Sequence, residues 1–280
     1  MCLAVIALDA HPRYAVVIAA NRDEFHARAA LPAHWWNDAG AADILAGRDL
    51  AQGGTWLGVS PQARWAFVTN VREPSRFDAR APSRGKLVPA LLRDPRPPVE
   101  ALEAIVATAQ SWNGFNLVAG DATTAAFGSN RNPDVIPLGR GIHGVSNAGL
   151  DTPWPKLVRA KAGLAGWIAS GDDDLDGLWP VLADRTPAAL HELPDTGLAL
   201  SREHLLSSPF IVSEGYGTRC STLIALDRDA TAHFVERSFD ATGAATGEVA
   251  FRFKAGQSAR SIAQCAMPAS SNTSPSATNR

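Results

Sequence analysis

Cys2-Leu-Ala-Val-Ile-Ala-Leu8, the turn Ala10-His-Pro-Arg13, Tyr14-Ala-Val-Val-Ile-Ala-Ala20 and Asn21-Arg-Asp-Glu24 make up the stretch that decides the fold. Cys2–Leu8 and Tyr14–Ala20 are apolar and rich in β-branched residues. Two such runs joined by a short turn containing proline predict a β-hairpin buried on both faces. Facing residues in an antiparallel pair have numbers of constant sum. A turn centred on His11 and Pro12 therefore sets Cys2 opposite about Asn21. The polar cluster Asn21, Arg22, Asp23 and Glu24 arrives beside the first residues of the chain.

Cys2 follows the initiator methionine. Aminopeptidases remove Met1 when the next residue is small, and cysteine qualifies. The processed chain then starts with a cysteine that carries its own free α-amine, a nucleophile and a general base in one residue. Such an amine titrates at about 7.7–8.0 and a free thiol near 8.5, so neither needs much tuning to act near neutral pH. A neighbouring arginine favours the thiolate, and a neighbouring carboxylate holds the ammonium form of the amine. A structural reading competes with this one: a small apolar residue opening a strand, and a polar cluster closing the next.

Composition narrows the classes. A chain of 280 residues can bury a sizeable core. Its 46% hydrophobic and 19% charged residues are those of a soluble globular protein. A net charge of −2 with no basic stripe offers no footprint for nucleic acid. No apolar run approaches the roughly 20 residues of a membrane span. No basic segment precedes the first apolar run, so a secretory signal is not expected. The three cysteines, Cys2, Cys220 and Cys265, are odd in number and far apart. They predict no disulfide framework and fit a reducing, cytoplasmic setting. Arginine outnumbers lysine 22 to 4, as in proteins from GC-rich bacterial genomes. The seven histidines lack metal-ligand spacing, and no metal site is expected.

Further along, residues 55–60 and 64–71 read as a second strand pair around Pro61-Gln62, after a loop carrying Trp35 and Trp36. Ser83 is placed to cap a helix over 86–93. Helical spacing runs through 99–112, 154–170 and 175–182. Residues 115–119 and 124–128 read as strands, and 135–146 as a strand broken by glycines. Residues 218–227, 231–239 and 248–254 alternate as a closing β-meander. The order strands, helices, strands, helices, strands suits two antiparallel sheets packed face to face between helical layers. The reading is one domain over 1–262, with a disordered Ser/Asn/Thr/Pro/Ala tail over 263–280.

Several blocks stand out: Asn21-Arg-Asp-Glu24, GGTWLG at 53–58, TNVRE at 69–73, SRGKLV at 83–88 and WNGFNLV at 112–118. HGVSNAGLDTPWPK at 143–156 and GYGTRCSTL at 215–223 follow. In this order, from Cys2 to about Phe253, they resemble the NRDE protein family, also called the transport and Golgi organisation protein family. The resemblance implies an α+β fold: a four-layer αββα sandwich similar to the N-terminal nucleophile hydrolases, the fold of penicillin V acylases and bile-salt hydrolases.

It also implies roles. Cys2 would be the nucleophile of an amidohydrolase or acyl-transfer enzyme acting on a non-peptide C–N or ester bond. Asn70 and Asn147, each at a strand end, would aim amide N–H donors at the oxyanion. Arg22, Asp23 and Arg219 would tune Cys2 or orient substrate. The acylases separate their arginine and aspartate by two residues, whereas Arg22 and Asp23 are adjacent, so Asn21 or Glu24 is a candidate for one of those roles. Trp56, Trp112 and Trp154 are candidates to line a pocket. The partner is then a small acyl amide, ester or lipid-like ligand, with no cofactor. The alternative is a carrier or chaperone of a hydrophobic cargo such as haem or acyl lipid, with Cys2 a thiolate ligand to haem.

Other motifs are weaker. Gly139-x-Gly141-x-x-Gly144 has the dinucleotide-binding spacing, but no helix follows it. Ser83-x-x-Lys86 lacks the partner motifs of a serine β-lactamase.

Overall fold

A computed structural model of the chain describes residues 2–37 and 43–256. The strands are β1 (Cys2–Leu8), β2 (Tyr14–Phe25), β3 (Ala30–Trp36), β4 (Ile44–Asp49), β5 (Leu57–Val59), β6 (Trp65–Asn70) and β7 (Phe115–Gly120). They continue with β8 (Ala125–Ser129), β9 (Asn132–Pro137), β10 (Gly141–Val145), β11 (Val212–Ser213), β12 (Tyr216–Asp227), β13 (Thr231–Phe239) and β14 (Ala245–Lys254). The helices are α1 (Leu87–Arg93), α2 (Pro98–Val106), α3 (Pro155–Ser170), α4 (Trp179–Leu182) and α5 (Leu200–Leu205).

Two antiparallel sheets result. One runs β10-β1-β2-β12-β13-β14, with β11 on the edge of β12, and the other runs β3 to β9 in chain order. Strand alternation explains the layers. Ala4, Ile6 and Leu8 of β1, with Val16, Ile18 and Ala20 of β2, face Leu57, Val59, Trp65 and Phe67 of the other sheet. Leu3, Val5, Ala7, Val17 and Ala19 face the opposite way, onto Leu157, Ala160, Leu164 and Trp167 of α3 and Leu182 of α4. On the outer face of the second sheet, Val68, Phe115 and Leu117 pack under Leu87, Val88, Leu91 and Leu102 of α1 and α2. The four layers are helices, sheet, sheet, helices. The first hairpin reads as uniformly apolar because both of its faces are buried. Cutting a side chain such as Leu3 or Ile6 to alanine there costs about 2–5 kcal/mol.

The structure departs from the sequence reading at definite points. β2 does not stop at Ala20. It runs on to Phe25 because β12 pairs with it that far, while β1 pairs with it as far as Arg22. The stretch over 135–146 is two strands in different sheets, β9 and β10. The turn between them ends at Gly141, whose φ of +136° suits glycine. Ser83 makes no side-chain cap, and Arg84–Lys86 is a 3-10 turn leading into α1. Trp35 and Trp36 lie in β3, and β3 and β4 were missed as strands. Among the described residues, no helix is long and apolar enough to cross a membrane. Cys265 and the tail expected over 263–280 lie outside the described residues.

Candidate active site

In the β1–β2 ladder Cys2 pairs with Arg22, one position from the partner the turn predicted. Arg22 also pairs with Cys220 of β12, and Cys220 with Ser238 of β13. These four side chains form a row across the sheet, on the face turned toward the second sheet. The row borders a cavity of about 460 Å³ at the end of the inter-sheet core. Glu24, Arg28, Asp49, Trp56, Asn70, Arg84, Arg219 and Glu236 also line it. Adjacent strands lie about 4.8 Å apart, so the Cα atoms of Cys2 and Cys220 are separated by roughly 9–10 Å, beyond the ~7 Å reach of a disulfide. Both thiols are free.

The opposing parity of β2 sends Asn21 and Asp23 toward the helices. Asn21 Nδ2 donates to the carbonyls of Leu182 (2.8 Å) and Pro209 (3.0 Å), and Ser221 Oγ donates to Asn21 Oδ1 at 2.6 Å. Asn21 thus pins β2 to the helical layer and does not line the cavity. Asp23 Oδ1 accepts from Thr218 Oγ1 at 2.7 Å. Lys156 at the start of α3 is 1% exposed, and its charge acts on Asp23. Lys156 Nζ has no hydrogen-bond partner among the described residues. Burial brings its pKa down to about 8, with the Asp23 carboxylate opposing. Burial also pushes Asp23 up, against the pull of Lys156.

The Cys2 thiol departs from expectation. Burial pushes it above its ordinary value, and the Asp23 charge adds to the push. The charge of the terminal amine, then the Arg22 charge and a hydrogen bond from the Asp23 backbone N–H, pull it down without prevailing. Desolvation outweighs the neighbouring arginine for a side chain 8% exposed.

Arg219 is the extra residue of a β-bulge in β12, between Thr218 and Cys220. The bulge aims it at the cavity wall, where Nη1 donates to the carbonyls of Phe25 (3.1 Å), His26 (3.0 Å) and Arg28 (3.4 Å). Arg22 sits 3.7 Å from Glu24, which also reaches Arg28 at 3.8 Å. Asn70 ends β6 on the cavity wall. Asn147 is 1% exposed and does not line the cavity; its Nδ2 donates to the Asn70 carbonyl at 2.9 Å. Of the three tryptophans, Trp56 reaches the wall. Trp112 packs on the outer core under α2. Trp154 lies 4.6 Å beneath the Arg72 guanidinium. Among the described residues, no group of three or more His, Cys, Asp or Glu side chains could hold a metal ion.

Residues 1–241 match the family described as Transport and Golgi organisation 2. The human Transport and Golgi organization protein 2 homolog is 34% identical over 259 residues, covering 85% of this chain and 93% of that protein. The chain belongs to the Transport and Golgi organisation 2 family. Two solved structures of more distant sequence also align. One is the Caenorhabditis elegans N-acylethanolamine-hydrolyzing acid amidase ortholog, with a TM-score of 0.48 and 11% identity, covering 80% of this chain and 92% of that one. The other is the mutant C2A conjugated bile acid hydrolase from Clostridium perfringens, with a TM-score of 0.46 and 8% identity, covering 84% and 88%. Neither likeness bears on the chemistry of the site.

Several blocks of this Transport and Golgi organisation 2 chain acquire physical reasons. Gly54 and Gly85 press backbone to backbone: a Cβ on Gly54 would lie 2.4 Å from the Gly85 carbonyl oxygen, and Thr55 N–H donates to that oxygen at 3.0 Å. This contact holds Arg84 on the cavity wall. Arg72 and Glu203 form a buried ion pair that ties the end of β6 to α5, with side chains 4% and 2% exposed. Lys156, Arg84, Arg72, Cys220 and Glu236 were assigned no role by sequence reasoning. For Lys156 a signal existed: it interrupts the apolar stripe of α3 that includes Leu157, Ala160 and Leu164. Glu236 gave none, since an acidic residue in an alternating strand reads as solvent-facing. In the fold it is buried, accepting from Ala33 N–H at 2.8 Å and Thr222 Oγ1 at 3.3 Å.

Proposed function

We propose that the protein is an N-terminal cysteine amidohydrolase or acyl-transfer enzyme, acting on a non-peptide C–N or ester bond once Met1 is removed. The observation that supports this most is the pairing of Cys2 with Arg22 on the cavity wall, with Asp23 fixed by Thr218 next along β2. In this reading the Cys2 thiol gives its proton to the residue's own α-amine, and the thiolate attacks the acyl carbonyl carbon. Asn70 donates to the oxyanion, a contact worth about 2.7–4 kcal/mol in other acyl transfers. Asn147 steadies Asn70 by holding its carbonyl. The tetrahedral adduct collapses, the C–N or C–O bond breaks, and the protonated amine passes its proton to the leaving group. Water, deprotonated by the same amine, then hydrolyses the acyl thioester and restores the thiol.

Asp23 holds the ammonium form between these steps, and the Lys156 charge favours its carboxylate against the burial that opposes it. Arg22 offsets part of the desolvation that raises the thiol. Arg219, Glu24 and Trp56 shape the cavity for substrate. Asn21, Trp112 and Trp154 support that wall without touching substrate. The chemistry needs a reduced Cys2, which favours the cytoplasm as its location.

The test is hydrolysis of a panel of N-acyl amides, esters and thioesters by protein whose Met1 has been removed. Turnover that disappears in Cys2→Ser is expected. Equal turnover in both proteins, or a retained Met1 in the active form, overturns the assignment.

A further inference from the structure

The charges on the cavity wall, five arginines and five carboxylates, are not all paired with one another. Each carboxylate there has partners. Glu24 faces Arg22 and Arg28, and Asp49 lies 2.6 Å from Arg28. Asp78 pairs with Arg80 at 3.3 Å, Glu236 accepts from Ala33 and Thr222, and Asp23 accepts from Thr218. Among the arginines, Arg22 and Arg28 are matched by those acids, and Arg48 lies over the Trp36 ring at 4.6 Å.

Two guanidinium groups remain with backbone carbonyls as their hydrogen-bond acceptors. Arg84 Nη1 donates to the Gly114 carbonyl at 2.9 Å, and Arg219 Nη1 donates to the carbonyls described above. Neither is in an ion pair among the described residues. Arg219 Nε is buried with no acceptor at all among them. Arg84 lies close enough to Cys2 for their charges to act on one another. Burying a cation without a counter-ion is costly, and a fork of N–H donors suits a carboxylate or phosphate.

We infer that Arg84 and Arg219 hold an anionic group of the substrate, so that the acyl compound taken by this cavity carries a carboxylate or a phosphate. The inference rests on the proposed function for the words acyl compound; the anion site itself stands on the unmatched arginines. A neutral acyl chain would leave both cations desolvated and unpaired. An anion would supply the ion-pair partner that these two guanidinium groups lack among the described residues. Gly54 and Gly85 give this its local basis, because their backbone contact fixes the turn from which Arg84 projects.

Binding separates this from catalysis. Calorimetry on Cys2→Ala protein would use N-decanoylglycine, its phosphate counterpart N-decanoyl-2-aminoethyl phosphate, and the neutral N-decanoylglycinamide. At least one anion is expected to bind about tenfold or more tighter than the neutral compound, and the tighter anion tells carboxylate from phosphate. Arg84→Gln should remove most of that preference while leaving the neutral compound unchanged, and Arg84→Lys should keep part of it. Should Arg84→Gln fail to fold, the Arg84→Lys protein and a loss of the preference at high salt in the parent carry the test. Equal affinity for anionic and neutral compounds, or no binding of either anion at millimolar concentration, overturns the inference. Acylation of Cys2 by these compounds in the unsubstituted protein is scored separately. Acylation without anion preference sinks the anion site alone, and preference without acylation sinks the enzyme reading alone.

Discussion

Cys2 stands directly opposite Arg22 in the β1–β2 ladder, so the first cysteine of the chain and the second residue of the Asn-Arg-Asp-Glu block share one face of one sheet. The pairing is set by the hairpin turn. A register slip of one residue would turn Cys2 toward the helices and out of the cavity.

Arg22 also faces Cys220, which makes the two thiols an internal comparison. Cys220 is pushed well above its ordinary range by burial and then by the Glu236 charge. Cys2 is raised too; the Arg22 charge pulls both thiols down, and Cys2 has in addition a hydrogen bond from the Asp23 N–H. Iodoacetamide at pH 8 should therefore label Cys2 several-fold faster than Cys220, with a rate that climbs as pH rises. Arg22→Ala should slow Cys2 a further few-fold by removing the charge that favours its thiolate. Peptide mass spectrometry after timed labelling reads both sites. Equal rates at Cys2 and Cys220 would contradict the environment described for Cys2.

Lys156 supplies a pH signature. Its folded-state pKa is about 8, against an ordinary lysine value of 10.5. Between these values the unfolded chain keeps a proton that the folded chain has lost, so folding is favoured as pH rises through the window. The stability of the parent relative to Lys156→Met should rise from about pH 8 to about pH 10.5 and stay level below pH 7. Urea midpoints at pH 7, 9 and 10 measure the difference. A difference that does not change with pH would place Lys156 in water, not in the core.

The Arg72–Glu203 pair tests how the end of β6 is held. Thr196 Oγ1 also donates to Glu203, and Arg72 N–H donates to the Asn147 carbonyl at 2.7 Å. Removing one partner strands a buried charge at a cost of about 3–5 kcal/mol, whereas an apolar pair of similar size costs far less. Arg72→Met and Glu203→Leu should each destabilise strongly, and the double variant should recover most of the loss. Chemical denaturation of the three proteins forms the cycle. Additive losses would mean the two side chains do not act as a pair.

Much of this was legible before the fold was known, and the reason is periodicity. The runs 2–8 and 14–20 are short, apolar and separated by a turn, which leaves little freedom in how they pair. In the closing meander β14 alternates because one of its faces meets water, whereas β12 is buried on both. β3 and β4 were hidden by Pro32, Gly47 and a bulge between Leu31 and His34, which break a strand's pattern without breaking its hydrogen bonding. At the site, Cys2, Arg22, Asp23 and Arg219 were found through motif and position. Arg84 and Glu236 were not, because nothing local marks either charged side chain as buried, and the break that Lys156 makes in the apolar stripe of α3 was the one local sign among the three. Burial is a property of what packs over a side chain: β1 and β10 against α3, which carries Lys156, and β3 beside Glu236. The direction of the Cys2 thiol shift was missed for the same reason.

Intact mass spectrometry of Met1-processed protein, after incubation with acyl amides, esters and thioesters, tests the central claim most directly. The account predicts a mass increase equal to the acyl group, mapped to Cys2, released on longer incubation and absent from Cys2→Ala. No adduct with any compound, in protein whose Cys2 amine is free, would contradict the enzyme reading and leave the cavity to a carrier of hydrophobic cargo.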